Sequence, residues 1–480
     1  MSNKRKTDAF LAASKHWGES KRTKIESKEP PIDPIEIIEI SSEDEVEEKS
    51  TSPIRLLYNP SYPDHELSKV NKDTVRIYDL IGSSELQETY QFNFTIDIPF
   101  FTSFLDSSFE TQQKKLVFIS GRQHFEDDIA NEQIFRRFNI SEIVADIPNR
   151  FGTHHTKMMI NFFAGDTVEI VIMTCNLAKL DFGGLTQMLW RSGRLPRVRK
   201  SRQIPEIGKR FQTDLMNYLN KYNKKQITQL STRLKEYDFS SVNVELIAST
   251  PGTYNMTKET EIYGYGKLYQ ALSRNSLLVD NQEGQSKYNV LAQASAISYP
   301  FSVEKFSTAG IFSHLLCPLI FSQKEEFRLL QPGPESFRSH QKKHNYNPII
   351  VYPTAEEVAN SNVGFRCGGA IHFDYSRSFV HKNYYQQAIK PYLHKWNSNG
   401  NITSTGREKV MPHVKLYMCD NGDNWSSLNW VYMGSHNLSK QAWGSRKGNK
   451  FINSDPSEYQ ISSYELGVLI YPKPAIQLII

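Results

Sequence analysis

No stretch of this sequence stays apolar for the roughly 18 residues that a membrane-spanning helix needs. The N-terminus carries charge but lacks the apolar run of a secretory signal. Cysteine is scarce: Cys175, Cys317, Cys367 and Cys419 lie far apart, with no Cys-x-x-Cys pair. That spacing argues against a Cys-rich zinc module and a disulfide framework, and it fits reduced thiols in a cytosolic or nuclear protein.

What is present is unevenly charged. The net charge of +5 hides a basic segment, 1–24, with seven Lys or Arg against Asp8 and Glu19. An acidic segment, 25–50, follows, with ten acids against Lys28 and Lys49, which leaves +8 for residues 51–480. A basic body fits a polyanionic partner such as nucleic acid. Residues 1–52 are rich in Lys, Glu, Ser and Pro and poor in apolar periodicity, so a disordered regulatory tail is expected. Its basic clusters, Lys4-Arg5-Lys6 and Lys21-Arg22-Thr23-Lys24, are spaced like a bipartite nuclear-import signal, and a nuclear location is expected. The β-prone run containing Ile35, Ile37 and Ile38 precedes serines and acids and resembles a SUMO-interacting motif, which adds a strand to a partner's sheet edge.

Beyond the tail, hydrophobic content of 39% and aromatic content of 12% supply large cores. β-Prone runs at 115–119, 158–163, 168–174, 241–247, 348–352, 413–418, 430–433 and 464–471 alternate with helix-like spacing at 211–222 and 384–396. The stretches 323–347 and 398–408 read as exposed loops. The interleaving predicts a mixed α/β fold of two halves, 53–240 and 241–480, each a sheet flanked by helices.

The division rests on a duplication. Phe151-Gly152-Thr153-His154-His155-Thr156-Lys157-Met158-Met159 returns in weaker form as Met411-Pro412-His413-Val414-Lys415-Leu416-Tyr417-Met418. Each His-x-Lys is followed by an apolar run ending in Asn-Leu, at Asn176-Leu177 and Asn437-Leu438. A pattern repeating at nearly one offset signals two copies of one unit, here the two halves of one active site. On a strand, residues i and i+2 share a face, so His155 sits beside Lys157, and His413 beside Lys415. An imidazole next to an ammonium suits attack on a phosphate, with proton transfer from one group and charge neutralisation from the other. Asn176 and Asn437 each end a strand before a helix start, where an amide and helix N–H groups can hold phosphate oxygens. His154 and His155 face opposite sides of a strand and cannot bind one ion, and neither His-x-Lys strand carries Asp or Glu. Chemistry with no metal and no cofactor is expected.

This set resembles the phospholipase D superfamily, whose halves each contribute a His and a Lys. That superfamily places Asp five residues after the Lys. Phe162 stands there in the first copy, and Asp420 stands there in the second within a turn-like run. Asn in place of that Asp marks the tyrosyl-DNA phosphodiesterase family, which the chain resembles also at Ser249-Thr250-Pro251-Gly252, at 437–444 and at 464–469. The resemblance implies a DNA-repair hydrolase that cleaves 3′-phosphotyrosyl links to topoisomerase I, and other 3′-blocking adducts, through a covalent phosphohistidine. It implies His155 as nucleophile and His413 as general acid and base. Lys157, Lys415, Asn176 and Asn437 would hold the phosphate, while Gln187 and Glu465 would orient the two histidines. Phe151 would stack on a DNA base, Ser295 would touch DNA and Ser439 would help bind the phosphate. A monomer acting on DNA, away from membranes, is expected. The sequence departs from the family in having Ala296 after Ser295, and it is expected to lack the family's last segment. The competing readings are another phosphodiesterase or nuclease of the superfamily, and a non-catalytic scaffold binding DNA or SUMO.

Overall fold

The computed structural model describes residues 52–62, 69–123, 129–198, 203–258, 260–278, 287–298, 346–397, 405–446 and 458–472, all within one compact unit, Ser50–Ile480. The import-like and SUMO-interaction-like segments lie outside the described residues.

The first sheet is built from β1 (Ile54–Leu56), β2 (Leu86–Phe92), β3 (Lys115–Ser120), β4 (Asn139–Val144), β5 (Met158–Phe163), β6 (Thr167–Met173), β7 (Met188–Arg191) and a short β8 (Leu195–Pro196). The second contains β9 (Glu245–Ser249), β11 (Tyr288–Gln293), β12 (Tyr346–Val351), β13 (Leu393–His394), β14 (Leu416–Asp420), β15 (Leu428–Gly434) and β18 (Glu465–Ile470). A small third sheet joins β10 (Gly252–Asn255), β16 (Ser445–Arg446) and β17 (Glu458–Ile461).

The two large sheets have one topology. The first runs β4-β3-β2-β5-β6-β7-β1 and the second β13-β12-β11-β14-β15-β18-β9, and in each the three leading strands are parallel and the rest antiparallel. Both are mixed sheets, and their shared strand order fits the duplication.

Strand composition follows from burial on both faces. On β5, Met158, Ile160 and Phe162 enter the large core shared with the second sheet, while Met159 and Phe163 enter a separate core on the opposite face. Ile170 and Ile172 of β6 join the shared core, and Val171 and Met173 the other. An alternation of two apolar destinations leaves an unbroken apolar run. The β5–β6 hairpin turns through Gly165 (φ +80°) and Asp166 (φ +55°), at the expected turn. The helix Glu206–Asn220 buries Phe211, Leu215, Tyr218 and Leu219, a stripe at helical spacing. It begins earlier than the apolar spacing indicates, with Ile207 and Gly208 of its first turn also buried. The helix expected over 384–396 starts and ends earlier and is irregular: an α-helix Phe379–Tyr384, a π turn Tyr385–Ile389 and a 3₁₀ turn Lys390–Tyr392. Pro391 in that last turn removes an amide donor from any continuation.

Four backbone hydrogen bonds join the sheets at the centre. Tyr464 N donates to Thr153 O and His155 N to Tyr464 O, at 2.9 Å each. Thr186 N donates to Met411 O at 2.9 Å and His413 N to Thr186 O at 3.0 Å. The segment leading into β5 thus pairs with the segment leading into β18, and the segment leading into β14 with that leading into β7. These equivalent crossings relate the halves by a pseudo-twofold axis and bring the two His-x-Lys segments together.

Candidate active site

Both His-x-Lys segments are extended but end one residue before β5 and before β14. The expected face assignment holds. Lys157 Nζ donates back to His155 O at 2.9 Å, and Lys415 Nζ to His413 O at 2.7 Å. The intervening residues point away: Thr156 Oγ1 meets the Tyr218 hydroxyl at 2.5 Å, and Val414 is buried. His154 faces away from His155, its Nδ1 3.0 Å from Asn93 O and its Nε2 2.8 Å from the Tyr222 hydroxyl. Gly152 permits the close crossing of chains in front of His155, since a Cβ there would meet Ser462 O at 2.0 Å. Thr153 N can then donate to Ser463 Oγ at 3.1 Å.

The two catalytic candidates are held differently. His155 Nδ1 lies 2.8 Å from Glu465 Oε2. A carboxylate accepts only, so Nδ1 carries the proton and Nε2 bears a lone pair. Ser435 Oγ also donates to Glu465 Oε2, at 2.5 Å. His413 Nδ1 lies 3.1 Å from Gln187 Nε2, whose amide orientation is fixed by Thr174 Oγ1 donating to Gln187 Oε1 at 2.7 Å. An amide N–H donating to Nδ1 selects the opposite tautomer, with the proton on Nε2.

Burial dominates the electrostatics. It holds both imidazoles well below the ordinary histidine range, and the ammonium groups of Lys157 and Lys415 add to that effect. Burial pushes Lys157 down to about 8 and Lys415 well below its usual range, the latter helped by Lys157. Burial pushes Glu465 up to about 7 against the opposing effect of His436, Ser435 and both lysines. A pocket with two poorly solvated ammoniums gains most from an anion placed between them.

The asparagines are also held unequally. Asn437 Oδ1 accepts from Ser295 Oγ at 3.2 Å and Ala296 N at 3.0 Å, which leaves its amide N–H groups for a ligand. Asn176 spends one N–H on Asp181 Oδ1 at 2.9 Å, and its own Oδ1 is buried without a partner. Phe151 is 58% exposed with the Arg150 guanidinium 4.5 Å from its ring centre, so a face for stacking is at the surface. Ser439 Oγ is engaged as an N-cap, accepting from Ala442 N at 3.2 Å. Asp420 lies in the second sheet and accepts from Asn289 N and Nδ2 at 2.7 and 2.6 Å, a structural role. Among the described arginines after Asn176, Arg191 pairs with Glu169, Arg194 with Glu85 and Arg197 with Glu236. Among the described residues no group of three or more His, Cys, Asp or Glu could hold a metal ion.

A family model described as tyrosyl-DNA phosphodiesterase matches residues 53–477. The chain belongs to that family. It is therefore a phosphodiesterase hydrolase of DNA repair. A probable tyrosyl-DNA phosphodiesterase of Schizosaccharomyces pombe is 28% identical over 90% of this chain and 84% of that protein. The tyrosyl-DNA phosphodiesterase 1 of Drosophila melanogaster is 29% identical over 81% of this chain and 61% of that protein. The crystal structure of the yeast tyrosyl-DNA phosphodiesterase shares the fold, with a TM-score of 0.64 at 21% identity over 89% of this chain and 91% of that one.

Asp181, Ser435 and Phe94 escaped the sequence reading. Phe94 packs edge-on to His155 at 5.3 Å between ring centres, with Lys157 Nζ 5.6 Å from its own ring centre. Nothing in the duplication points to these residues. Gln187 and Glu465, named from the family resemblance, each directly follow a residue that makes an inter-sheet crossing.

Proposed function

We propose that the enzyme releases tyrosine, or a tyrosine-bearing topoisomerase I peptide, from DNA 3′ ends through a phosphohistidine on His155, working as two halves, 53–240 and 241–480. His155 Nε2 attacks phosphorus, and the bond from phosphorus to the tyrosine oxygen breaks. His413, doubly protonated, gives that oxygen its Nε2 proton and is left neutral. A water then gives a proton to His413 and attacks phosphorus, and the P–N bond breaks with its electron pair returning to Nε2. Lys157 and Lys415 neutralise the non-bridging oxygens, with the amides of Asn176 and Asn437 donating to them. Phe151 faces the DNA, the buried Ser295 acts by holding Asn437 Oδ1, and the Ser439 hydroxyl acts by ordering the turn after Asn437.

The single observation behind this division of labour is that Nδ1 of His155 faces a carboxylate whereas Nδ1 of His413 faces an amide donor. The first arrangement frees a lone pair, and the second leaves a proton on Nε2. The test is single-turnover cleavage of a labelled 3′-phosphotyrosyl oligonucleotide in excess chelator. The wild type is expected to release tyrosine and His155→Ala to release none; a normal rate from His155→Ala sinks the assignment. Other 3′ adducts with acceptable leaving groups follow the same route. The 1–52 tail serves nuclear entry and SUMO contact through Ile35, Ile37 and Ile38 in this reading, and the enzyme acts as a monomer.

A further inference from the structure

The pseudo-twofold axis makes Gln187 the counterpart of Glu465, so His413 faces an amide where His155 faces a carboxylate. A carboxylate is nevertheless there, from elsewhere in the chain. Asp181, in the helix Lys179–Gly184, is buried, and its Oδ1 lies 3.4 Å from His413 Nδ1. The same oxygen accepts from Asn176 N at 3.2 Å, from Asn176 Nδ2 at 2.9 Å and from Gln187 Nε2 at 3.4 Å. Asp181 stands five residues after Asn176, and five residues after Asn437 stands Ala442, so the duplication supplies no equivalent.

His413 is doubly protonated when it gives its Nε2 proton to the leaving oxygen, and doubly protonated again once it has taken a proton from water. In that state Nδ1 carries a proton, and the Gln187 N–H that suits the neutral ring becomes a donor facing a donor. Asp181 Oδ1 is a side-chain acceptor beside the same nitrogen. The Thr174 carbonyl also faces the ring, as the Ser435 carbonyl faces His155, so that feature is common to both halves and does not distinguish them. The other charged groups around His413 are Lys415 from its own segment and Lys157 from the other half, with His155 opposite. Both ammoniums oppose a second proton on the ring, and Asp181 is the anion on its Nδ1 side. We propose that Asp181 is the charge partner of His413, a positioning residue that stabilises the imidazolium which protonates the leaving group and which water activation restores. Each histidine then draws its carboxylate from the opposite half of the chain: His155 from Glu465 and His413 from Asp181. Burial raises the Asp181 carboxyl, with Asn176 and the two lysines opposing.

This inference rests on the roles proposed for the two histidines, and leaving-group dependence tests it separately. Asp181→Asn keeps shape and removes charge. Two oligonucleotides are compared in single turnover, one ending in a 3′-phosphotyrosine and one in a 3′-(4-nitrophenyl phosphate), whose leaving group needs no proton. Tyrosine release is expected to slow on the order of 10- to 100-fold, part of what a general acid contributes. Nitrophenol release should stay within about twofold, because that step bypasses the acid. The basic limb of the tyrosyl pH–rate profile should move to lower pH, since the imidazolium has lost its anion. Asp181→Ser carries the same comparison if the Asn variant does not fold. Equal slowing of both substrates, or an unmoved basic limb, overturns the proposal. Failure of the wild type to form an adduct on His155 instead refutes the underlying division of roles.

Discussion

Gln187 and Glu465 occupy equivalent places about the pseudo-twofold axis: Gln187 follows Thr186, which pairs with the His413 segment, and Glu465 follows Tyr464, which pairs with the His155 segment. An amide and a carboxylate at matching positions turn a nearly symmetric scaffold into an asymmetric site. The same backbone crossing orients each ring, and the side chain after it decides which nitrogen keeps the proton.

Replacing His413 with Asn should separate the two chemical steps. Tyrosine leaves tolerably without full protonation, since its phenol has a pKa of about 10, so attack by His155 slows but continues. No base remains to activate water. A protein–DNA species resistant to denaturant and labile to acid is expected on gels, and none in the double variant His155→Ala, His413→Asn. Adduct in the double variant, or attached at position 413, reverses the assigned roles.

Glu465→Gln retains an oxygen able to accept from His155 Nδ1 but removes the charge that favours the developing positive ring. Adduct formation should fall on the order of 10- to 100-fold in pre-steady-state measurements, with DNA affinity little changed. A loss confined to affinity, with the chemical step intact, contradicts this role.

His154 should tie stability to pH. Burial lowers its pKa from the ordinary 6.5 to about 3. Its folded-state pKa is depressed, so the unfolded chain binds the proton more readily. The neutral ring's contribution to stability is full above pH 6.5 and is lost as pH falls from 6.5 toward 3, at about 1.4 kcal/mol per unit. His436, lowered to about 3 by burial, adds a second contribution of the same sign. Urea midpoints measured between pH 7 and 4 should decline less steeply in a His154→Gln variant than in the wild type. Parallel curves count against a titrating His154.

Arg407 is a buried strut within a stretch whose sequence reads as an exposed loop. Its Nε donates to Val70 O at 2.9 Å, and its Nη2 donates to Val70 O at 2.7 Å and to Leu57 O at 3.0 Å. It ties the start of the folded body to the second half. Arg407→Met leaves those carbonyls unpaired in the interior and should cost about 2–4 kcal/mol, read as a lowered thermal midpoint. An unchanged midpoint contradicts the strut.

Removal of residues 1–50 should leave turnover of naked oligonucleotides within about twofold, as the charge-rich, apolar-poor composition of that segment leads one to expect. Nuclear accumulation should fall in cells. A large loss of turnover in the purified truncated protein would place the tail in the site.

The sequence by itself determined the chemistry and the duplication. His155, Lys157, His413 and Lys415 are legible because i, i+2 spacing on an extended chain puts two side chains on one face whatever the surroundings. The strands around them are legible because their apolar runs have few other folded destinations. What only the tertiary structure decided is the asymmetry. Glu465 reaches His155 across 310 positions and Gln187 reaches His413 across 226, through crossings that no local periodicity encodes. Asp181 belongs to the site because the helix after Asn176 turns its carboxylate inward, while the matching position carries Ala442. Arg407 is buried because carbonyls from the far end of the chain converge on it. Hydrogen bonds between residues hundreds of positions apart depend on how the sheets meet, and that meeting is fixed by the packed core as a whole.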